Sequence, residues 1–301
     1  MVKTLYVLVG IPGSGKTTLR KKMISEMANT KVVNKDSIRI QIKKELADSG
    51  KNVNKINWKE IEKEVIPRYN ALLQQYVEEG VNIIDDNTNL TMKNISRLQQ
   101  FAKNNSYECE VIFLEDSWNV DLCHKRNTSR DVSEHIPVAA VENMAENFIK
   151  VYHTFHNSNK ITINSNPLAI VVDMDGTLAH MHSRSAFEWN RVGEDTVDET
   201  VKELVKFYHS QGIKVIICSG RDGCCKDISI KWLNDNDIPF DEFFIRPVND
   251  MRKDVHIKYE IYVNNIMPKY DVKLAIDDRM QVCRLWRGLG LKCLQVDNGW
   301  F

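Results

Sequence analysis

Apolar residues run along this chain in two rhythms. Short apolar-rich stretches over 4–9, 31–34 (on Val32 and Val33), 81–84 and 110–114 read as strands. Between them, apolar positions return every three or four residues. Leu19, Met23, Ile24 and Met27 mark a helix over 18–28, and another follows the second strand through Ala47. Ile61, Val65, Tyr69, Leu72, Leu73 and Tyr76 share one face of a long helix over 58–79, which Pro67 is expected to kink. Helices over 90–104 and 138–153 complete the series, the latter on Val141, Met144, Phe148 and Tyr152. Strands alternating with helices predict an α/β fold, a parallel sheet wrapped by helices.

The pattern breaks once. Residues 157–166 read NSNKITINSN, polar and asparagine-rich, and Pro167 closes the stretch. A domain boundary is expected there, although Ile161 and Ile163 could pair as a short edge strand. The alternation then resumes, with strands over 168–172, 214–218, 274–276 and 291–296 and helices over 196–208 and 228–233. A chain of 301 residues suits two domains. The expected division is 1–155, a linker at 156–166, and 167–301. Trp300 and Phe301 end the sequence and are expected to pack on the domain or a neighbouring subunit.

Composition narrows the class without naming a partner. Hydrophobic residues at 43% and charged residues at 27% are ordinary for a globular protein with real cores. Lys plus Arg and Asp plus Glu balance at 41 each, so a nucleic-acid site must rest on local basic clusters. No run approaches a membrane span, and the first apolar stretch is too short for a signal peptide. Seven cysteines without C-x-x-C spacing point to reduced thiols and a cytosolic setting. The adjacent Cys224 and Cys225 read as loop thiols.

The first candidate chemistry follows the first strand. Gly10 to Thr17 reads GIPGSGKT, the phosphate-loop pattern in full, between a strand and a helix. Gly10, Gly13 and Gly15, with Pro12 and Ser14 between them, let successive N–H groups turn inward at the positive end of a helix. Lys16 would reach β- and γ-phosphate oxygens, and Thr17 would place a hydroxyl on Mg²⁺. ATP with Mg²⁺ is the expected pair.

Two more strands end in acid. Asp36 follows the second, three residues before Arg39, so the two face one side of a helix start. Asp36 could take the proton of an attacking hydroxyl while Arg39 grips an anion. The same pair also reads as an acid stabilising its helix N-terminus beside a surface arginine. Asp85 and Asp86 end the third strand, with the acceptor-site carboxylate open between them. Arg126 and Arg130, four apart on a helix, would cover the triphosphate, or form a solvated basic face.

The second domain opens on different phosphate chemistry. The strand over 168–172 delivers Asp173-Met174-Asp175-Gly176-Thr177, two carboxylates aimed to one face. This D-x-D-G-T run resembles the haloacid dehalogenase superfamily of aspartate phosphatases. There one carboxylate is the nucleophile, forming an aspartyl-phosphate, and the other the general acid and base. The resemblance implies that Ser219, at a second strand end with Gly220 and Arg221, donates to a phosphoryl oxygen. Lys258 suits the neutralising lysine, and Asp277 and Asp278 would hold Mg²⁺ with Asp173 and Asp175, hard oxygen ligands for a hard cation. Arg184, Arg221 and Arg252 are candidate phosphate-ester contacts or solvated side chains.

A phosphate-loop kinase followed by an aspartate phosphatase resembles the polynucleotide kinase–phosphatase family of bacteriophages. The resemblance rests on GIPGSGKT, KDSIR, DNTN, RNTSR, DMDGTLA, SGR and AIDDR, and covers essentially the whole chain. It implies a 5′-kinase domain over 1–155 and a haloacid dehalogenase-like 3′-phosphatase domain over 167–301. By it, Asp36 is the general base on a terminal 5′-OH and Arg39 contacts the phosphate beyond the acceptor nucleoside. Asp86 braces Arg39, while Arg130, with Arg126, contacts the donor phosphates. Arg184, Arg221 and Asp254 complete the phosphatase pocket. RNA and DNA ends as substrates, an NTP donor, a downstream ligase, a homotetramer and the cytoplasm of a phage-infected cell are further expectations. The segment after Arg221 departs from the family pattern and is expected in the phosphatase cap. A small-metabolite kinase joined to a nucleotide or sugar phosphatase is the competing enzyme reading, and a nucleotide-gated scaffold the non-enzymatic one.

Overall fold

The structure is a computed structural model that describes residues 2–50, 57–129, 135–157 and 166–299. The chain divides into two compact α/β units, Met1–Phe155 and His156–Phe301. The segment of Ile161 and Ile163 lies outside the described residues, as do Arg130, Trp300 and Phe301.

In the first unit, β1 (Thr4–Val9) leads through the glycine-rich loop into α1 (Lys16–Glu26). Then come β2 (Thr30–Val33), α2 (Lys35–Asp48), α3 (Trp58–Glu78), β3 (Asn82–Asp85), α4 (Met92–Asn104), β4 (Glu108–Phe113), α5 (Val120–Thr128) and α6 (Val138–Asn157). The strands form a parallel sheet in the order β2-β3-β1-β4. Its interior strand β1 is built from Leu5, Val7, Leu8 and Val9, all fully buried, because helices cover both faces of a parallel sheet. Parallel strands put every carboxyl end on one edge, so the phosphate loop, Asn34 and Asp86 are neighbours there.

Helix α3 runs unbroken through Pro67, burying Ile61, Val65, Tyr69 and Leu73. Tyr69 donates its hydroxyl proton to Asp85 within the core. Asn89 donates to the same carboxylate at 2.6 Å and Asn87 at 3.0 Å. Asp85 is therefore a structural acid. Removing one buried donor costs about 1–3 kcal/mol. Tyr69→Phe is expected to lower the stability of the first unit by that amount, read from its unfolding transition, and an unmoved transition would show the hydroxyl idle.

The second unit contains β5 (Leu168–Val172), the ribbon strands β6 (Ala179–His180) and β7 (Thr196–Val197), α7 (Glu199–Ser210), β8 (Lys214–Ser219) and α8 (Lys226–Asp235). It continues with β9 (Glu242–Ile245), α9 (Asp254–Ile261), β10 (Asp271–Asp277), α10 (Met280–Gly288) and β11 (Cys293–Gln295). Its parallel sheet has the order β11-β10-β5-β8-β9. Sequence reading missed β9, a half-buried edge strand whose apolar run, Phe243-Phe244-Ile245, is only three residues long. The core gathers Ile170, Val172, Val215, Ile217, Trp232 and Ile276. Helix α9 passes directly into a π-turn at Tyr262–Ile266, another feature without a sequence signal.

Candidate functional site

A cavity of about 1080 Å³ opens at the carboxyl edge of the first sheet. The phosphate loop forms one side of it, and Asp36, Arg39, Asp86 and Arg126 reach it from elsewhere. Gly13 and Gly15 adopt φ of 82° and 90°, backbone open to glycine at little cost. Gly13 is also pressed against α5: a Cβ there would lie 2.4 Å from the carbonyl oxygen of Cys123. Lys16 donates through Nζ to the carbonyls of Gly10 and Ile11 at 2.7 and 2.8 Å, which curls its ammonium back over the loop. The buried hydroxyl of Ser14 has no partner. An orphaned hydroxyl, a curled lysine and the start of α1 at Lys16 together fit a polyphosphate.

The opposite wall is held by Asn34. Its side chain caps α2, accepting from the Ser37 N–H at 2.9 Å, and also donates to the carbonyl of Asp86. Lys35 N–H donates to Asn87 at 3.0 Å, so the start of α2 is pinned to the end of β3. That leaves the Asp36 side chain 80% exposed at the cavity. Asp36 and Arg39 form an ion pair one helical turn apart.

The proposed bracing of Arg39 by Asp86 is corrected. Glu62 of α3 accepts from Arg39 at 2.6 and 3.2 Å, while Asp86 pairs with Arg20 of α1 at 2.7 Å. The reason is direction: α2 packs against α3, and Asp86 lies where α1 brings Arg20 to it. Burial pushes the Asp86 carboxyl above its usual range, opposed by Arg20 and Lys16. Arg20 and Glu62 were missed because each lies far along the chain from its partner, on a helix with many other charges. Of the two strand-end acids, Asp86 lines the cavity and Asp85 faces Tyr69. Arg126 donates to the Gly13 carbonyl at 3.1 Å and to Asp116 at 2.6 Å, placing one guanidinium over the loop. Arg130 lies outside the described residues.

The second unit carries its own cavity, about 520 Å³, with Asp173, Asp175, Arg221 and Asp254 in its wall. Behind Asp173 stands a fully buried Lys258, 2.8 Å from Asp173, 2.9 Å from Asp277 and 3.7 Å from Asp254. Burial works against the lysine's charge, yet Asp173, Asp254 and Asp277 outweigh it and hold its pKa well above the ordinary value. Burial drives the Asp173 pKa well up against the pull of Lys258, with Asp277, Asp254 and Asp278 adding to the rise. Burial, then Asp277, pushes Asp278 up to about 6.

Asp173, Asp277 and Asp278 each bring one oxygen within 4.8 Å of the others. One Asp278 oxygen accepts from Thr177 at 3.3 Å, and the other is buried without a partner. Three crowded carboxylates and an orphaned oxygen fit a divalent cation such as Mg²⁺. Asp175 brings no carboxylate oxygen into this group. Its carboxylate is held instead by Arg221 at 2.7 and 2.9 Å and by Arg184 at 3.1 Å. The two D-x-D carboxylates thus share a cavity but have opposite surroundings, one a lysine among acids, the other a pair of arginines.

Ligands that bind only the folded state stabilise it, by about 2.7 kcal/mol at a hundredfold excess over Kd. Saturating Mg²⁺ is therefore expected to raise the unfolding temperature of the second unit. No shift on adding Mg²⁺, or an equal one in Asp277→Asn/Asp278→Asn, would show that the acidic group holds no cation.

Arg184 and Arg221 converge on a residue that sequence reading missed. Asp195 is buried and accepts from Arg184 at 2.6 and 2.7 Å and from Arg221 at 2.6 Å. Its carbonyl accepts from Trp232 at 2.8 Å. In the sequence it is one acid among several in GEDTVDE, with nothing to distinguish it. Ser219 is fully buried and accepts from the Arg221 N–H at 3.2 Å, beneath rather than on the cavity wall. Asp254 lies under Gly220, where a Cβ would come within 2.2 Å of it, and its buried Oδ1 accepts no hydrogen bond but lies 3.5 Å from the Arg246 guanidinium. Arg252 is exposed and tied to Asp250 and Glu260. Arg246 also lines the cavity and donates to the Gly220 carbonyl at 2.7 Å. Among the described residues, all seven cysteines are free thiols, and Cys224 reaches the cavity. No described helix is long and apolar enough to cross a membrane.

Comparison with known proteins agrees with this division of chemistry. Residues 5–151 match the family "AAA domain", and residues 167–301 match "Polynucleotide kinase PNKP phosphatase domain". A protein of Autographa californica nuclear polyhedrosis virus, described as "Putative bifunctional polynucleotide kinase/RNA ligase", is 27% identical over 95% of this chain. The chain spans 41% of that relative's length. Two solved chains from Pnkp1/Rnl/Hen1 RNA repair complexes are 26% and 27% identical, each with a TM-score of 0.45. The matches cover all of this chain and 97% and 98% of theirs. Each unit is thus similar to a different family, residues 5–151 to the AAA domains and residues 167–301 to the phosphatase domains of polynucleotide kinase PNKP.

Proposed function

We propose that this chain is a bifunctional end-healing enzyme, which phosphorylates 5′-OH ends of RNA or DNA and removes 3′-phosphates. One observation carries the reading. A phosphate loop, Asp36, Arg39 and Asp86 meet on one cavity, in a chain whose other unit matches the polynucleotide kinase phosphatase family. The matched relative's name pairs polynucleotide kinase with RNA ligase, which supports a place upstream of a ligase. The substrates, a homo-oligomeric assembly and a cytoplasmic setting are parts of this proposal. So is the domain division at 1–155, 156–166 and 167–301. The phage-infected cell follows from the motif resemblance alone.

In the first unit, Asp36 accepts the proton of the 5′-hydroxyl as its oxygen attacks the γ-phosphorus of ATP, and ADP leaves. Lys16 and Arg126 neutralise charge on the phosphates, which together with alignment supplies most of the catalysis in phosphoryl transfer. Arg39, held by Glu62, presents its remaining donors to the acceptor strand's phosphate. Mg²⁺ at Thr17 would offset charge on the transferring phosphate.

In the second unit, a carboxylate oxygen of Asp173 attacks the 3′-phosphorus. The P–O3′ bond breaks, and O3′ takes a proton from Asp175. Water, deprotonated by Asp175, then attacks the aspartyl-phosphate, releasing inorganic phosphate, freeing the Asp173 carboxylate and returning Asp175 to its protonated form. Lys258 favours the ionised form of Asp173 against its burial, though burial outweighs that pull. A cation held by Asp173, Asp277 and Asp278 would supply further charge neutralisation. A 2′,3′-cyclic phosphate is a further candidate substrate.

The test incubates the protein with γ-labelled ATP, Mg²⁺ and oligonucleotides bearing 5′-OH and 3′-phosphate ends, with free nucleosides alongside. Label on the oligonucleotide and release of its 3′-phosphate are expected. Label on nucleoside alone would point to a metabolite kinase, and no transfer to any acceptor would point to a scaffold.

A further inference from the structure

The mouth of the second cavity carries apolar surface that phosphate chemistry does not use. Phe187 is 78% exposed and Met251 91% exposed, and both line the cavity whose wall includes Asp173. They come from different segments. Phe187 lies between Arg184 and the short helical turn Trp189–Glu194, while Met251 sits in the loop between β9 and α9. Trp189 also lines the cavity and meets Phe187 edge to face, the ring centroids 6.1 Å apart at 89°. That contact steadies the phenyl ring while most of its surface stays open. The same walls carry Arg246, Lys253 and Arg279. One cavity therefore combines a carboxylate that handles phosphorus, several cations, and exposed flat or polarizable apolar groups.

We propose that Phe187 and Met251 clamp the terminal nucleobase of a strand whose 3′-phosphate reaches Asp173. The inference rests on the phosphatase reading above and names the part of the substrate that this site grips. A 3′-nucleotide combines the matching features: a phosphate for the carboxylate and the cations, and a flat ring with apolar faces for Phe187 and Met251. A volume of about 520 Å³ falls in the range of cavities that enclose small ligands. An aromatic face stacks on any base, and a thioether adapts to its outline, so the clamp selects for a base without reading its identity. A base paired within a duplex is stacked and cannot enter from the side. The site therefore takes single-stranded or frayed 3′ ends.

The test compares kcat/KM for 3′-phosphorylated oligonucleotides ending in a normal nucleotide or in an abasic residue. Stacking on one aromatic side chain predicts that the wild-type protein prefers the base-bearing end by about 5- to 150-fold, chiefly through KM. Phe187→Ala is expected to collapse that ratio toward one, Met251→Ala to reduce it, and Phe187→Trp to preserve it. Equal rates on both ends in the wild-type protein would overturn the clamp. So would Phe187→Ala slowing both substrates equally, the mark of a structural role. If Phe187→Ala instead dissociates an oligomer in sedimentation velocity and leaves the ratio intact, the patch is an interface with a second copy and the clamp is overturned. Failure of the wild-type protein to dephosphorylate any 3′-phosphate oligonucleotide would sink the phosphatase reading itself, whereas loss of base preference alone sinks only the clamp.

Discussion

Asp173→Asn is expected to end dephosphorylation, with kcat falling by at least about 10⁴-fold, as when a nucleophile is removed from other covalent catalysts. Kinase activity should be essentially unchanged. The substitution keeps the shape of a buried side chain, so the 2.8 Å contact to Lys258 loses charge rather than space. An amide oxygen does not form the acyl-phosphate, because its lone pair is delocalised and no carboxylate is regenerated on hydrolysis. Burial already raises the cost of ionising Asp173, and Lys258 opposes that cost. The variant relieves the cost, so it should fold at least as well as the parent, and loss of activity is then chemical. Rates on a 3′-phosphate oligonucleotide and a 5′-OH oligonucleotide, measured on one preparation, make the check. Persistent phosphate release would remove Asp173 from the nucleophile's role, and loss of both reactions in a folded protein would break the two-site account.

The mirror experiment concerns Asp36. Asp36→Asn should slow 5′-phosphorylation by about 10²- to 10⁴-fold, the usual contribution of a positioned general base, and leave phosphate release intact. Its carboxylate is 80% exposed, so stability should scarcely change. The loss should appear in kcat more than in KM for ATP, because the phosphate loop and Lys16 are untouched. Arg39 sharpens the prediction. It pairs with both Asp36 and Glu62, and the Glu62 contact survives the substitution, so the guanidinium stays in place. A rise in KM for the oligonucleotide with unchanged kcat would instead assign Asp36 to positioning Arg39.

Much of this machinery is legible in the sequence because its motifs are local. GIPGSGKT is a conformational instruction as much as a chemical one: glycines at positive φ, then a helix N-terminus. The two carboxylates of D-x-D lie two residues apart at the end of a buried strand, so both reach one cavity whatever the rest of the chain does. Alternating strands and helices likewise imply parallel sheets, and parallel sheets bring all strand ends to one edge. The choice between Asp85 and Asp86 was not legible. Adjacent residues on a strand face opposite ways, and the sequence does not say which face meets α3.

The sequence by itself determined the fold class, the two phosphate motifs and the residues whose roles depend on near neighbours. Only the tertiary structure decided the long-range partners: Arg20 for Asp86, Glu62 for Arg39, and Asp195 for Arg184 and Arg221. It also separated Asp175 from the acidic group of Asp173, Asp277 and Asp278. The physical reason is that hydrogen-bond spacing along a helix or strand is fixed by backbone geometry. A charge arriving from another element is placed by how whole faces pack, and one surface-like Asp, Glu or Arg in a sequence carries no mark of the face it will meet.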